Sequence, residues 1–223
     1  MSAFKLTEPE LDRGYRALLN HGVSGFLPDP PEWAAIKLNW DRVRAELSQL
    51  DLHVYKPYVP RTTFVRKSRK FFRAIEFVHP QDIVLYTSLT MLLRDCIDHA
   101  RLDPGLKRSF SYRVAGAGHD YLYRTSGQYQ KYRDQTEKRI GLKKTDFITT
   151  ADIAQFFPHV YQHRLANALQ AASRNARETE ASRIIEKMVG NFSEGKSYGI
   201  PTGPFASRCL AEALLIDVDA ALH

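Results

Sequence analysis

A carboxylate that follows a predicted strand is the first place where this sequence could support chemistry. Residues 147–151 are predicted to form a short strand, and Asp152 comes directly after it. A divalent ion such as Mg²⁺ takes hard oxygen ligands, so a carboxylate at an exposed strand end is well placed to hold one. Asp is also a preferred N-cap, and a helix is predicted over residues 158–172. The residue types alone leave both interpretations open.

A second chemical pattern is GNFSEGKS at residues 190–197, which matches the phosphate-binding spelling G-x-x-x-x-G-K-[ST]. A P-loop needs a strand before its glycine-rich turn and a helix directly after it. Here a helix is predicted over residues 178–189, with Gly190 as its C-terminal cap. Pro201 follows soon after Lys196 and disfavours a helix there. The sequence therefore predicts no P-loop, and Lys196 becomes a candidate contact to a nucleic-acid backbone.

The positive charge of the chain is concentrated in one stretch. Residues 52–75 contain seven lysines and arginines and no acidic residue, and these seven charges equal the net charge of +7 for the whole chain. A local basic patch of this kind is typical of a surface that meets phosphates, although a solvated basic loop has the same composition. The residues are Lys56, Arg61, Arg66, Lys67, Arg69, Lys70 and Arg73.

Aromatic and basic residues alternate over residues 109–144. Such a mixture can stack on and neutralise single-stranded nucleic acid, but tyrosines can equally pack over the edge of a core. The sequence does not decide between these alternatives. The aromatic members are Tyr112, Tyr121, Tyr123, Tyr129 and Tyr132, and the basic members are Arg113, Arg124, Lys131 and Arg133.

Several elements must position these residues. A capping box at residues 7–10 predicts a first helix, and residues 33–50 predict a second. Residues 59–66 and 71–78 are β-rich on either side of the basic tetrapeptide 67–70, which predicts a hairpin with a basic tip. Residues 82–99 are apolar around much of a helix, and a last amphipathic helix is predicted after Gly203.

Composition indicates a soluble protein, with 43% hydrophobic and 26% charged residues. The longest uncharged apolar run, residues 83–93, is much shorter than the roughly 20 residues of a membrane span, and the N-terminus has no signal-peptide pattern. Cys96 and Cys209 lie in apolar helical stretches and are predicted to be buried thiols in a reducing compartment. We therefore expect a cytoplasmic protein with no membrane partner.

Two stretches resemble characteristic blocks of a known family. ADIAQFF (151–157) and GIPTGPFASRCLAE (199–212) are similar to motifs A and B of prokaryotic reverse transcriptases, in the branch that includes abortive-infection and phage-defence enzymes. In motif A of the family, the leading Asp binds both catalytic metals and an aromatic residue five positions later excludes the ribose 2′-OH. The resemblance thus implies that Asp152 and the backbone carbonyl of Ile153 are metal ligands and that Phe157 lies under the sugar.

Motif B of the family contacts the incoming nucleotide and the template. The matching positions are Pro201, Thr202, Gly203 and Ser207, of which Thr202 and Gly203 are the expected nucleotide contacts. Many relatives carry Gln where this chain has Thr202. That departure recurs in the defence-associated branch, so it weakens a group II intron maturase assignment rather than the family resemblance.

Residues 59–75 resemble the fingers hairpin of the same family. Arg61 and Arg73 match basic residues that hold the triphosphate, and Arg66, Lys67, Arg69 and Lys70 are expected to meet the nucleic-acid backbone. HPQDIVLY (79–86) and SFSYRV (109–114) resemble further blocks of this branch. The blocks occur in the family's order and spacing.

The resemblance implies an α+β fold, that of a right-hand polymerase, mostly helical with the basic hairpin and a short palm sheet. Residues 1–145 would form the fingers, with the hairpin at 58–78 and the buried helix at 82–99. Residues 146–223 would form part of the palm, with motif A at 147–165 and motif B at 197–222. The implied activity is RNA-directed DNA synthesis with two Mg²⁺ ions, an RNA template, a DNA or RNA primer and dNTPs, in phage defence.

The expected third block, an aromatic-x-Asp-Asp hairpin (motif C), is missing. No Asp-Asp pair occurs in the 223 residues. Asp217-Val218-Asp219 is the nearest pattern, but it is predicted to be solvated surface on the last helix. A thumb is not recognised either. We therefore expect a fragment, a truncated gene or one part of a split enzyme that is inactive alone. The palm edge would be unpaired without motif C, so we expect it to bind a second copy of the chain or a missing C-terminal segment.

Two alternatives remain at this stage. The chain could be a non-catalytic nucleic-acid-binding or assembly module derived from a reverse transcriptase. It could also be a basic α/β protein with a functional P-loop, which the elements around residues 190–197 disfavour.

Overall fold

The chain folds into an α+β structure, as the sequence predicts. The computed structural model describes residues 3–114, 119–142 and 146–222, and over these residues the chain forms eight α-helices and one two-stranded antiparallel sheet. The elements are α1 (Glu8–His21), α2 (Pro31–Leu38), α3 (Trp40–Ser48), β1 (Arg61–Arg66), β2 (Phe72–Phe77), α4 (Pro80–Ala100), α5 (Gln128–Ile140), α6 (Gln162–Ala172), α7 (Ala176–Phe192) and α8 (Phe205–Ala221).

The long helix α4 forms the centre of the fold. It packs against α1, α2, α6, α7 and α8, and its residues are buried on almost every side. This confirms the predicted buried helix. Near its start, the buried carboxylate of Asp82 accepts hydrogen bonds from the Tyr55 hydroxyl (2.7 Å) and the Tyr58 backbone N–H (2.9 Å). These bonds fix the segment that leads into the basic hairpin, and burial raises the pKa of Asp82.

Helix α1 starts with the predicted capping box. The Thr7 hydroxyl accepts a bond from the Glu10 N–H (3.4 Å), and the Glu10 carboxylate accepts one from the Thr7 N–H (2.8 Å). At Gly14 this helix comes very close to α4: a Cβ at that position would lie 2.0 Å from the Ser88 Oγ and 2.8 Å from the Ser88 Cα. The first helix is therefore in near backbone contact with the central one.

The second predicted helix, over residues 33–50, is two helices. Asn39 leaves helical geometry with φ −120° and ψ 27°, and its side-chain amide donates to the Ala35 carbonyl (3.0 Å). Asn competes with the backbone for helical hydrogen bonds and often ends helices for that reason. The following Trp40 stacks on Tyr15 at 4.0 Å and donates to Asp12 (2.7 Å), which fixes the direction of α3.

The predicted strand at residues 147–151 is wrong. Residues 146–153 have no regular structure, and the sheet of the described residues consists of β1 and β2 only, so the expected palm strand does not form here. A strand needs a neighbour to pair its backbone groups, and none of the described residues provides one. The helix predicted at 158–172 is also shorter: a single 3₁₀ turn, Phe157–His159, precedes α6.

The P-loop spelling lies at the end of a helix, as its neighbours predict. The expected cap at Gly190 is wrong, because α7 continues through Gly190 and ends at Phe192 with Ser193 as its cap. The chain then turns through two left-handed residues, Glu194 (φ 55°) and Gly195 (φ 80°). No strand precedes the stretch and no helix begins at Lys196, so the elements of a P-loop are not present in this part of the described chain.

The half-buried imidazole of His21 makes stability depend on pH. Its Nε2 accepts a hydrogen bond from the Leu122 N–H (3.0 Å), and burial, reinforced by the Arg208 charge, lowers its pKa to about 4. Because the folded pKa lies below the unfolded value of about 6.5, protonation favours the unfolded chain, and stability falls as the pH drops through this range. After a discount for partial exposure, we expect a loss of about 2 kcal/mol from this group.

Urea unfolding near neutral pH and near pH 4 measures this effect when the wild type is compared with His21→Gln, which does not titrate. The variant should lose less stability on acidification than the wild type. An equal loss in both proteins would contradict the assignment to His21.

Both thiols are buried, as predicted for Cys96 and Cys209. Among the described residues, no helix combines the length and the apolar composition needed to cross a membrane.

Candidate functional site

The register of the hairpin places its two predicted triphosphate contacts on one face. Arg61 pairs with Phe77, and Val65 pairs with Arg73. Since successive side chains alternate between faces, Arg61 and Arg73 share a face, about 13 Å apart along the strand direction. The same face carries Ile75, which is completely buried, so it is the face that packs against the rest of the protein.

The other face of the hairpin is exposed, aromatic and basic. Phe64 and Phe72 are diagonal neighbours on this face and are 69% and 66% exposed, with Arg66 opposite Phe72. The tip continues the positive charge with three further exposed residues, Lys67, Arg69 and Lys70. Exposed aromatic rings beside cations form a surface on which unpaired bases can stack.

Strand β2 is joined to the segment 198–203, which precedes α8. The Glu76 N–H donates to the Thr202 carbonyl (2.9 Å), and the Thr202 N–H donates to the Glu76 carboxylate (2.6 Å). Gly203 lies beside them at φ 136°, where an added Cβ would be 3.0 Å from the Ile75 side chain. The hairpin is thus held against this segment by a pair of hydrogen bonds and a close approach that favours glycine.

We expect Glu76→Ala to loosen the hairpin. The change removes the acceptor of the Thr202 N–H, and an unpaired buried donor costs about 1–3 kcal/mol. Trypsin digestion should therefore cut the basic tip faster in Glu76→Ala than in the wild type, and urea unfolding should report the lost stability. Glu76→Gln keeps an acceptor oxygen and is the matched control. Equal cleavage rates in Glu76→Ala and the wild type would contradict the role given to Glu76.

The segment 198–203 also contacts the end of the predicted motif A block. The Gly199 N–H donates to the Val160 carbonyl (2.8 Å), and the Ile200 N–H donates to the Phe157 carbonyl (3.1 Å). Gln162, at the start of α6, donates its side-chain amide to the Gly199 carbonyl (2.8 Å). Segment 198–203 is therefore bonded both to β2 and to residues 157–162, and Phe157 and Thr202 take part in these bonds. We call this meeting point the junction; Gly203 belongs to it, and Arg73 lies on the same strand, β2.

A cation that the sequence analysis missed lies at the same junction. The guanidinium of Arg73 lies over the ring of Phe26 at 4.8 Å, and that of Arg208 lies over the same ring at 5.5 Å. The two arginines, one from β2 and one from α8, thus flank a single aromatic ring. One signal could have identified Arg208: it is the only basic residue of the apolar helix α8.

Other predicted motif B residues are buried. Ser207 is completely buried, and its hydroxyl shares a hydrogen bond with that of Tyr86 (3.2 Å) between α8 and α4. Pro201 and Thr202 are also buried, and the Thr202 hydroxyl finds no partner among the described residues. In this arrangement, Pro201 and Ser207 pack the helix start and do not face solvent.

The predicted metal ligands Asp152 and Ile153 lie on the surface. Both residues are exposed in the irregular stretch before the 3₁₀ turn, and Phe157 at the turn is partly buried. Over the described part of the chain, no group of three or more His, Cys, Asp or Glu side chains is arranged to hold a metal ion. One carboxylate and one carbonyl supply the hard oxygen atoms that Mg²⁺ prefers, but they do not make a two-metal site.

The predicted solvated surface of α8 is confirmed for Asp217 and Val218, which are exposed, but Asp219 is half-buried. Over the described residues, these carboxylates form no metal-holding group with Asp152. Lys196 is also exposed, in the turn before segment 198–203.

Comparison with known proteins gives this chain no family. A scan against protein-family models found no match, and a search of curated proteins found none either.

Proposed function

We propose that this chain is the fingers and the first part of the palm of a reverse transcriptase, an RNA-directed DNA polymerase, acting in phage defence. One observation carries the proposal: three blocks identified separately in the sequence meet at segment 198–203. The hairpin reaches it through Glu76 and Thr202, and the motif A block reaches it through Phe157 and Ile200. A polymerase needs triphosphate, sugar and template contacts at such a junction.

Three arginines are the proposed contacts to the triphosphate of an incoming nucleotide. Arg61 and Arg73 share one face of the hairpin, and Arg208 shares the Phe26 ring with Arg73. Planar guanidinium groups bind phosphate oxygens bidentately and stabilise the charge on them. Phosphoryl transfer depends mainly on positioning and charge neutralisation, which these side chains supply.

The exposed face of the hairpin fits the template. Phe64 and Phe72 would stack on bases, and Arg66, Lys67, Arg69 and Lys70 would meet the backbone without reading sequence. The partners in this proposal are an RNA template, a DNA or RNA primer and dNTPs.

The described residues do not by themselves fit the two-Mg²⁺ centre that the resemblance implies. Asp152 and the Ile153 carbonyl are the only ligands the resemblance assigns, and they lie in an exposed, irregular stretch. We therefore derive no catalytic step through the metal. The proposal includes a segment or second chain that supplies the Asp-Asp pair missing from these 223 residues.

Nucleotide incorporation on a primed RNA template tests the proposal. The chain is assayed alone and joined to a reverse-transcriptase segment that carries the aromatic-x-Asp-Asp block. We expect template-dependent incorporation by the joined protein only. If the joined protein binds the template tightly and incorporates nothing, the enzymatic proposal fails.

A second candidate function is a non-catalytic nucleic-acid-binding or assembly module. The observation that favours it is the exposed aromatic and basic face of the hairpin, which needs no carboxylate to bind a strand. It predicts strong, salt-dependent binding of RNA or DNA with no incorporation in either form of the protein.

A further inference from the structure

A cleft of about 840 Å³ lies at the far end of α4 from the hairpin. One wall is a face of α5, which contributes Gln128, Lys131, Gln135 and Lys138. The rest of the lining comes from the last turns of α4 and residues 104–114, with contributions from Arg124 and Arg174. Most of the lining comes from residues 109–144, the stretch of mixed aromatic and basic residues noted in the sequence, and the cleft lies outside the junction described above.

The cleft has an excess of uncompensated positive charge. Lys107, Lys131 and Lys138 line it, and none of them makes an ion pair with the residues that the structure describes. Lys131 and Lys138 are two helical turns apart on α5, about 10.5 Å along its axis. Lys107 comes from a different segment, residues 104–114, so two segments contribute lysines to the cleft lining.

Each acidic residue of the cleft already has a partner. Asp98 pairs with Arg113 (3.1 Å) and with Arg101 (3.7 Å), both of which are buried. Asp95 pairs with Arg94 (3.4 Å), and Asp134 accepts a hydrogen bond from Gln130 (2.6 Å). Asp95 and Asp98 are thus paired with arginines, whereas Asp134 keeps its negative charge. The lining still has six lysines and arginines against three aspartates, and its lysines remain available to an anion.

An aromatic cluster begins at the cleft and extends beyond its lining, to which Tyr129 and Tyr132 do not belong. Phe110 lines the cleft, its ring is 6.1 Å from that of Tyr132, and Tyr132 is 6.2 Å from Tyr129. Tyr129 and Tyr132 are 74% and 47% exposed, and a ring in solvent can accept a base.

The sequence left open whether these tyrosines pack on the core or stack on bases, and the structure separates four of them into two groups. Tyr123 is buried, and Tyr112 packs against it at 4.7 Å as part of the core edge. Those two are structural, whereas Tyr129 and Tyr132 are available for stacking.

We propose that this cleft binds a single strand of nucleic acid, with its backbone on Lys107, Lys131 and Lys138 and a base against Tyr132. Lysines at phosphate-compatible spacing beside exposed rings are the combination that single-strand binders use. The cleft meets α4 at Asp95–His99, about 25 Å along the helix axis from the hairpin end at Pro80. The site is therefore additional to the template face of the hairpin and does not depend on the polymerase assignment.

Salt-dependent binding of a fluorescent single-stranded RNA tests the proposal. Each phosphate contact that is lost lowers the slope of log K against log salt by about 0.7. Lys131→Gln/Lys138→Gln should therefore lower the slope by about 1.4 and weaken binding about 25-fold at about 0.1 M salt. The control Lys37→Gln/Arg42→Gln removes the same charge from the exposed surfaces of α2 and α3 and should change affinity less than about twofold.

Two further measurements test the proposal. The first asks whether a base stacks on Tyr132, and the second asks whether the strand covers the cleft lysines in the wild-type protein, where misfolding of a variant plays no part. Tyr132→Leu should weaken binding of the normal strand about fivefold or more and leave an abasic strand of equal charge unaffected. In the wild type, the bound strand should protect Lys107, Lys131 and Lys138 from acetylation, read by mass spectrometry.

Equal effects of the cleft pair and the control pair would overturn the proposal, as would unprotected cleft lysines in the wild type. Protection by inorganic triphosphate or dNTP but not by the strand would assign the cleft to a small anion instead and would also overturn it. If the cleft proposal fails, the proposed template face of the hairpin still stands, because strand binding by Lys67→Gln/Lys70→Gln tests that face separately.

Discussion

We expect Asp152→Asn to slow primer extension by the joined protein at least about 1,000-fold. Asn keeps the size of the side chain and removes the negative charge, so it would bind the metal of the proposed site much more weakly than Asp152 would. A metal site contributes several kcal/mol to phosphoryl transfer, and each 1.36 kcal/mol is a factor of ten in rate. Extension on a primed RNA template with Mg²⁺ measures the effect.

The matched control is Asp146→Asn. Asp146 is exposed in the same irregular stretch, six residues before Asp152. Asp146→Asn therefore makes the same charge change at a neighbouring position. We expect extension by this control to stay within about twofold of the wild type. Extension by Asp152→Asn at the wild-type rate would show that Asp152 is not a metal ligand. Binding of the primed template should be similar in all three proteins, which separates chemistry from binding.

Alanine substitutions at two helical glycines are expected to change stability in opposite directions. Gly14→Ala places a Cβ 2.8 Å from the Ser88 Cα, a contact that requires α1 and α4 to move apart. Overpacking of this kind costs about 1–3 kcal/mol or more, which exceeds the gain of about 1 kcal/mol from the better helix propensity of Ala. We therefore expect Gly14→Ala to be less stable than the wild type by about 2 kcal/mol.

Gly190→Ala is the matched comparison. Gly190 lies inside α7, and a Cβ there would make ordinary contact with the Gln162 amide oxygen at 3.8 Å. The substitution then acts only through the better helix propensity of Ala, so the free energy of unfolding should rise by up to about 1 kcal/mol. Urea unfolding measures both changes. Stabilisation by Gly14→Ala would contradict the close packing of α1 on α4, and destabilisation by Gly190→Ala would contradict the helical position of Gly190.

The elements that the sequence predicted correctly are those with strong local patterns. The capping box fixes the start of α1, the basic tetrapeptide separates β1 from β2, and apolar residues around the whole circumference identify α4. In each case the determining residues lie within a few positions of one another, so the sequence contains the whole signal.

The errors concern contacts between distant residues. Residues 147–151 contain β-forming side chains, but whether they become a strand depends on a partner elsewhere. Gly190 resembles a helix cap locally, yet α7 continues because its apolar face, including Phe192, still packs on the core. Packing between residues far apart in the chain decides both outcomes, so the local sequence alone does not predict them.

Most members of the candidate site were proposed from the sequence, and their roles stay predictions; their connections were not foreseen. Arg61, Arg73, Phe157, Thr202 and Gly203 came from family-like blocks. The bonds that join β2 to segment 198–203, and the approach of Arg208 to Phe26, link positions far apart in the chain. The side chains that make these links are Glu76, which lies outside the family-like blocks, and Arg208, which lies in the motif B block without an assigned role there, so their contacts become visible only in the folded structure.

The central claim is that the hairpin and segment 198–203 form one nucleotide site. Cross-linking with a dNTP that carries a photoreactive group on its γ-phosphate tests this directly, with the modified peptides identified by mass spectrometry. We expect cross-links in β1, β2 and residues 198–208, with a yield about tenfold lower in Arg73→Ala because a bidentate phosphate contact is lost. Arg42→Ala, on the exposed surface of α3, should match the wild type. Cross-links confined to residues 190–197 or to the α5 cleft, or an unchanged yield in Arg73→Ala, would contradict the claim.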